Sequence, residues 1–173
     1  YKHDAISGET LKEFTTAMPA GWSPRVLANG AVVLGASPDS GQSDARARYS
    51  EVRVWDRALS REELAQSARM GKALLPLPKN RAPLAVASTN LTHRWSFNGN
   101  WTDSVGGRTA VAAGLDSGKI TFEDGAYATL PGSATSRHAY IELSTDGDSL
   151  FAEDTDGVTL EFWTRLNATA GRS

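Results

Sequence analysis

The sequence predicts an all-β fold, an antiparallel β-sandwich with one short helix. Three observations lead to this fold class. Short segments alternate apolar and polar residues, turn-forming Gly, Asn and Asp residues separate these segments, and only one segment carries helix signals. The chain has 173 residues, of which 40% are hydrophobic and 22% charged, so it is long enough for one domain with a hydrophobic core.

The strand signal is strongest in the segment 158–166. Apolar and polar residues alternate there over nine residues, which predicts a strand with one buried face. A second alternating segment places Ser50 and Val52 on one face and Glu51 and Arg53 on the other. Shorter alternating segments are 94–97, 120–122 and 141–143, and 31–34 is a compact apolar run between Asn29-Gly30 and Gly35.

One helix is predicted after residue 60. Ser60 and Glu63 have the spacing of a capping box, in which the serine hydroxyl and the glutamate carboxylate each accept a hydrogen bond from the other residue's backbone amide. Leu64 and Ala68 then lie on one helical face, and Gly71 provides a stop.

The composition excludes several classes of protein and site. The formal net charge is −2, so no overall positive charge attracts nucleic acid, and no run of about 18 apolar residues could span a membrane. The chain has no cysteine, which excludes disulfides and thiolate metal sites. No secretory signal is recognisable, and a start at Tyr1 favours a processed piece over a whole translated gene.

The chain divides at a proline-rich segment. Three prolines in eight residues predict an extended linker over 73–90, between a segment 1–72 and a segment 91–173. Residues 1–85 carry a net charge of +3 and residues 86–173 a net charge of −5. This asymmetry favours contact between the two halves, although an unplanned scatter of surface charge would look the same.

Two segments carry a family resemblance. Segment 49–64 contains Val-Arg-Val-Trp-Asp followed by the capping box, and segment 93–107 contains Trp-Ser-Phe-Asn-Gly. The first resembles the closing strand and helix, and the second the opening strand and turn, of LamG-like jelly-roll domains in the concanavalin A-like lectin/glucanase group. Segments 32–37, 125–130 and 158–166 resemble further strands of these domains. The resemblance implies a jelly-roll β-sandwich.

The order of the motifs departs from the family. There the Trp-Ser-Phe opening comes first, whereas here the closing motif precedes it, so 1–72 resembles the C-terminal half of one domain and 91–173 the N-terminal half of another. Half a sandwich buries too little apolar surface to be stable and exposes sheet edges. Three arrangements solve this problem: a circularly permuted jelly roll within one chain, strand exchange between chains in a dimer or filament, or a tandem array that continues beyond this sequence.

The sequence does not predict an enzyme. Motifs of metalloproteases, serine hydrolases and nucleotide-binding enzymes are absent, and so is the Glu-x-Asp-x-x-Glu pattern of glycosidases with this fold. The three histidines are scattered at positions 3, 93 and 138. A glycoside hydrolase is therefore the least favoured function.

Acidic residues offer two candidate calcium sites. One is a cluster within eleven residues, formed by Asp146, Asp148, Glu153, Asp154 and Asp156. Oxygen ligands at this density suit a structural Ca²⁺, but a solvated acidic loop is the favoured interpretation. The family resemblance implies a second site with Asn98 and Asp103 as ligands, although Asp103 in its Asp-Ser-x-Gly-Gly context is equally a turn-forming residue.

Three aromatic residues are candidates for stacking on a sugar ring. Trp22, Trp101 and Tyr127 lie near turn residues. The alternative for both tryptophans is packing against the rim of the sandwich. Other aromatic residues are expected in the core or the sheet, namely Trp95, Phe97, Tyr140 and Phe162.

These observations favour a non-catalytic module for adhesion, assembly or protein interaction, located outside the cell or on its surface. The expected partners are a protein or a glycan, or further copies of the chain through strand complementation. Three glycosylation sequons, at Asn90, Asn100 and Asn167, add slight support for this location. The alternative is a carbohydrate-binding module of a polysaccharide-active protein.

Overall fold

A computed structural model describes residues 2–3, 10–12, 31–36, 44–71, 90–134, 137–145, 148–151, 155 and 157–166. The elements in chain order are β1 (Lys2–His3), β2 (Thr10–Lys12), β3 (Val32–Leu34), β4 (Asp44–Trp55), α1 (Arg61–Met70), β5 (Leu91–Trp95), β6 (Val111–Ala113), a 3₁₀ helix (Ser117–Lys119), β7 (Thr121–Glu123), β8 (Tyr127–Ser133), β9 (Tyr140–Ser144) and β10 (Thr159–Leu166). Antiparallel strands with one α-helix thus make up most of this part, in agreement with the predicted fold class. None of its helices has the length and apolar character needed to cross a membrane.

The long strand β4 organises the larger sheet. β10 runs along one side of β4, while β8 pairs with its N-terminal half and β5 with its C-terminal half on the other side. β7 extends the sheet beyond β8. A smaller sheet has the order β3-β9-β6, and β1 pairs with β2 separately.

The hydrophobic core lies between the two larger sheets. It contains Ala47, Val52 and Val54 of β4 together with Leu34 of β3 and Ile141 of β9. Strands from both sides of the proline-rich segment therefore contribute to one core. The proline-rich segment itself, predicted at 73–90, lies outside the described residues except for Asn90.

A register shift in β4 decides which residues enter this core. Glu51 lies opposite Trp163 of β10, but Tyr49 lies opposite Thr164, so Ser50 is an extra residue in β4. Tyr49 is consequently buried in the same core as Val52, although alternation alone would put the two on opposite faces. The prediction that Ser50 shares a face with Val52 ignored this shift.

The helix α1 forms where the sequence predicts it. The amide of Glu63 donates to Ser60 Oγ at 3.2 Å, and the amide of Ser60 donates to Glu63 Oε2 at 2.8 Å, which confirms the capping box. Hydrogen bonds from the Arg57 guanidinium lower the pKa of Glu63 to about 2. The helix ends at Gly71, whose positive φ of 58° suits glycine.

We expect Ser60→Ala to lower the free energy of unfolding by about 1 kcal/mol, because one amide of the first helical turn loses its acceptor. Ser60→Asp is the matched control, since aspartate accepts the same hydrogen bond and should retain the stability. Urea unfolding measures both variants. Equal stability of the alanine variant and the wild type would show that this cap contributes nothing.

The prediction of a buried face on β10 is wrong. None of its residues is buried, and Phe162, expected in the core or the sheet, lies in the sheet but is exposed. The apolar face is the more exposed one, whereas Thr159, Glu161 and Trp163 on the polar face are half-buried. Alternation gives the period of a strand but cannot tell which face the rest of the fold covers.

Candidate interaction site

β10 forms an edge of the larger sheet. In the part of the chain that the structure describes, β4 is the only strand that pairs with it. Every second residue of an edge strand directs its backbone N–H and C=O groups away from the sheet, where they can pair with another strand. The edge is eight residues long, which is enough for regular pairing.

Three exposed apolar side chains lie on one face of this edge strand. We call them the edge stripe: Leu160, Phe162 and Leu166, whose exposed fractions are 39%, 50% and 69%. Each lies directly opposite a fully buried residue of β4, in the pairs Leu160–Val54, Phe162–Val52 and Leu166–Ala47. The edge stripe therefore lies on the core face of the larger sheet, but its side chains are exposed.

The opposite face of the larger sheet carries a buried polar network. Arg53 has no exposed surface, and its guanidinium donates to Glu51 Oε1 at 2.9 Å, to Ser67 Oγ at 3.0 Å and to the carbonyl of Gly71 at 2.7 Å. Its Cζ lies over the Trp163 ring, 4.6 Å from the ring centre. These contacts hold the end of α1 against β4 and β10.

Two further residues complete this network. Arg94 of β5 donates from Nε to Glu51 Oε1 at 2.6 Å, and Ser67 Oγ donates to Glu161 Oε2 of β10 at 2.7 Å. We call Glu51, Arg53, Ser67, Arg94 and Glu161 the helix-face network. It joins the central strand to β5, to α1 and to the edge strand, and so fixes the position of β10 from the side opposite the edge stripe.

Burial changes the protonation equilibria in the helix-face network. Desolvation lowers the pKa of Arg53, and the neighbouring Glu51 carboxylate opposes this shift. Desolvation raises the pKa of Glu161, and the hydrogen bond from Ser67 and the charge of Arg53 oppose that shift. Burial thus outweighs the stabilisation that Ser67 and Arg53 give to the charged form of Glu161.

Asp103 is the buried centre of a turn after β5 whose following residues, 104–107, are exposed. Its Oδ1 accepts hydrogen bonds from the amides of Arg94, Val105 and Gly106 at 2.8, 2.9 and 2.9 Å. Its Oδ2 lies 2.6 Å from Nδ1 of His93, whose ring stacks on Trp95. A Cβ at Gly106 would lie 2.4 Å from His93 Nδ1, so the turn requires glycine there.

These contacts describe the turn-forming role of Asp103. Burial would raise its pKa, but the hydrogen bonds from the amide of Arg94, from His93 and from the amides of Val105 and Gly106 lower it below its ordinary value. Both carboxylate oxygens already face N–H donors, which is an unsuitable surrounding for a Ca²⁺ ligand. Asn98, the other ligand implied by the resemblance, is exposed in the preceding turn.

The second predicted calcium site is described only at Asp148. Its carboxylate forms an ion pair with the guanidinium of Arg108. Asp146, Glu153, Asp154 and Asp156 lie outside the described residues. Among the residues that are described, no three acidic, histidine or cysteine side chains are grouped so that they could hold a metal ion.

Two of the three predicted sugar-stacking residues, Trp101 and Tyr127, lie in the described part of the chain. Trp101 is half-buried, and its ring contacts Phe122 at 4.5 Å and Phe97 at 5.9 Å between ring centres, as the alternative of rim packing proposes. Tyr127 is exposed at the start of β8. Trp22 lies outside the described residues.

Neither the edge stripe nor the helix-face network is among the sites that the sequence predicts. The sequence does contain a pattern that could have indicated the network. Glu51 and Arg53 are charged residues within a segment that clearly predicts a strand, and a capped helix follows that segment. No pattern in the sequence could have indicated the edge stripe, because alternating apolar residues in a strand predict side chains that are buried in the core.

No known protein family has a model that matches this chain, and the chain is not significantly similar to any curated protein or to any solved structure.

Proposed function

We propose that the chain is a non-catalytic, LamG-like jelly-roll module that acts in adhesion, assembly or protein interaction outside the cell or on its surface. The observation that carries this proposal is the combination, on β10, of a strand edge with which no other described strand pairs and the exposed edge stripe. Backbone groups of such an edge supply affinity for an added strand, and the apolar side chains supply contact area. The location is inferred from the resemblance and the sequons alone.

The arrangement that we favour is a permuted jelly roll within one chain. β4, from the segment that resembles a closing half, pairs with β5, β8 and β10 from the segment that resembles an opening half. Ion pairs also join the two segments, between Arg48 and Glu123 and between Glu51 and Arg94. These contacts support the permuted arrangement over two separate halves, because neither segment forms the core without the other.

Contacts of the candidate residues favour interaction over sugar binding. The ring of Trp101 already contacts Phe97 and Phe122, so only part of its surface is left for a sugar. The side chains of the edge stripe, by contrast, already face solvent. A strand or apolar surface of a protein is the partner that fits this combination.

The proposed interaction surface can be tested with the fluorescent probe anilinonaphthalene sulfonate. We expect the dilute protein to enhance the fluorescence of this probe, and we expect Phe162→Lys to reduce the enhancement by roughly half, because Phe162 is the largest side chain of the edge stripe. Leu115→Lys is the matched control, since Leu115 is exposed in a loop after β6. Circular dichroism verifies that both variants fold. An enhancement that Phe162→Lys leaves unchanged would refute the interaction surface.

A glycan array separates this proposal from the carbohydrate-binding alternative. We expect no binding that depends on Trp101 or Tyr127. Micromolar binding of the wild type that is lost in Tyr127→Ala, a variant of an exposed residue, would instead establish a carbohydrate-binding module.

A further inference from the structure

We propose that the partner of β10 is β10 of a second copy of this chain, in an antiparallel pair with twofold symmetry centred on Trp163. This inference rests on the proposed function of β10 as an interaction edge. It adds the identity of the partner strand and the register of the pair. The joint sheet would run from β4 through β10 into β10 and β4 of the second copy.

Symmetry restricts the registers that such a pair can adopt. Opposite residues of neighbouring strands point to the same side of a sheet. The two edge stripes therefore lie on one side of the joint sheet only if apolar-face residues of one β10 lie opposite apolar-face residues of the other. Pairs centred on Phe162, Trp163 or Thr164 meet this condition. The pair centred on Trp163 places Leu160 opposite Leu166, Glu161 opposite Arg165, Phe162 opposite Thr164 and Trp163 opposite itself.

Charge selects the register centred on Trp163. There the exposed Arg165 of each copy lies opposite Glu161 of the other copy, which gives two cross-strand pairs of opposite charge. A pair centred on Phe162 would put Arg165 opposite Thr159, and one centred on Thr164 would put it opposite Trp163. Only one of the three registers therefore places a cation opposite the half-buried carboxylate.

The surroundings of Glu161 support this choice. Its Oε2 accepts a hydrogen bond from Ser67, and Arg53, which also donates to Glu51, lies opposite it on β4. A guanidinium from a second copy would add a cross-strand partner of opposite charge on the other side of β10. Arg165 is exposed and lies on the same face of β10 as Glu161, so its side chain is available for this contact.

The apolar side chains fit the same register. The two most widely separated members of the edge stripe, Leu160 and Leu166, lie opposite each other twice in the symmetric pair. The two stripes then form one continuous apolar surface across the joint, which covers part of the area that each copy alone exposes.

Disulfide trapping tests the register directly. The chain has no cysteine, so an introduced cysteine is the only thiol. Leu160→Cys and Leu166→Cys place their thiols directly opposite each other in the proposed pair, where the Cα separation of about 4.5–5.5 Å suits a disulfide. We expect a mixture of the two variants to form a disulfide-linked dimer on mild oxidation.

The matched controls distinguish a disulfide that forms in the proposed register from one that forms by random collision of two chains. Each variant alone should form little disulfide-linked dimer, because identical positions lie six residues apart along the joint, or roughly 20 Å. A mixture of Leu160→Cys with Leu115→Cys should behave in the same way. If Leu160→Cys alone is trapped as efficiently as the mixture, the register is wrong.

Sedimentation equilibrium tests the partner. We expect the wild type to dimerise with rising concentration and Arg165→Glu to weaken the dimer by about tenfold, because two pairs of opposite charge become pairs of like charge. Arg46→Glu, the same change at an exposed residue of β4, should leave the dimer unchanged. A protein that stays monomeric at all concentrations would overturn the inference of a second copy. The proposed function would survive that result if Phe162→Lys still lowers the probe fluorescence.

Discussion

Replacing Arg53 by methionine is expected to lower the free energy of unfolding by about 3–5 kcal/mol. Arg53 is fully buried, and its removal leaves the buried Glu51 with Arg94 as its remaining partner and leaves the carbonyl of Gly71 without its donor. A buried ion pair that loses one member leaves an uncompensated charge in a poorly solvated place, and this cost is large. Urea unfolding followed by circular dichroism measures the effect.

Two comparisons make this prediction specific. Arg46→Met changes an exposed arginine of the same strand and should alter the stability by less than about 0.5 kcal/mol. Glu51→Leu combined with Arg53→Met removes both charges, so the double variant should regain a large part of the stability lost in Arg53→Met. If the two single arginine variants were equally stable, the helix-face network would contribute nothing to the fold.

Replacing Asp103 by alanine is expected to cost about 3–4 kcal/mol. Three backbone amides and the buried ring of His93 would lose the carboxylate that they all contact, and each donor left without its acceptor carries a penalty, which is largest at His93. Urea unfolding again measures the loss. Asp148→Ala is the matched control, because this carboxylate is exposed and forms a single ion pair, and it should cost less than about 1 kcal/mol.

The same residue predicts a dependence of stability on pH. The pKa of Asp103 is lower in the folded chain than its ordinary value of 3.8, so its stabilising effect is complete above that value and is lost as the pH falls through the folded pKa. We expect Asp103→Asn to flatten the fall in stability below about pH 4. A calcium-dependent rise in melting temperature that Asp103→Asn abolishes would contradict the turn-forming role.

The helix is the element for which the sequence was most informative. A capping box and a glycine stop are local signals, because the hydrogen bonds that satisfy them lie within three or four residues of one another. Ser60, Glu63 and Gly71 act as expected, and the structure places α1 over Arg61–Met70. The short strands at 32–34 and 140–144 were predictable for the same reason, since the apolar run with flanking turns in the first and the alternation in the second are local.

The faces of the strands were less predictable. Alternation in β4 was interrupted by the extra residue Ser50, whose presence shows only in the pairing with β10. In β10 the apolar alternation was strong, yet its apolar face is exposed. Burial depends on what packs against a face, and that partner comes from elsewhere in the chain.

The length, the near-neutral charge and the lack of cysteine can be counted directly in the sequence. The strand periodicity and the capped helix are patterns among neighbouring residues, and together these features are enough to predict an all-β fold with one helix. The pairing of β4 with strands from both halves, the burial of Arg53 with Glu51, and the exposure of Leu160, Phe162 and Leu166 depend on contacts between residues far apart in the chain. Such contacts form only when the sheets assemble, so no local pattern could indicate that the most regular strand of the sequence would lie at an open edge.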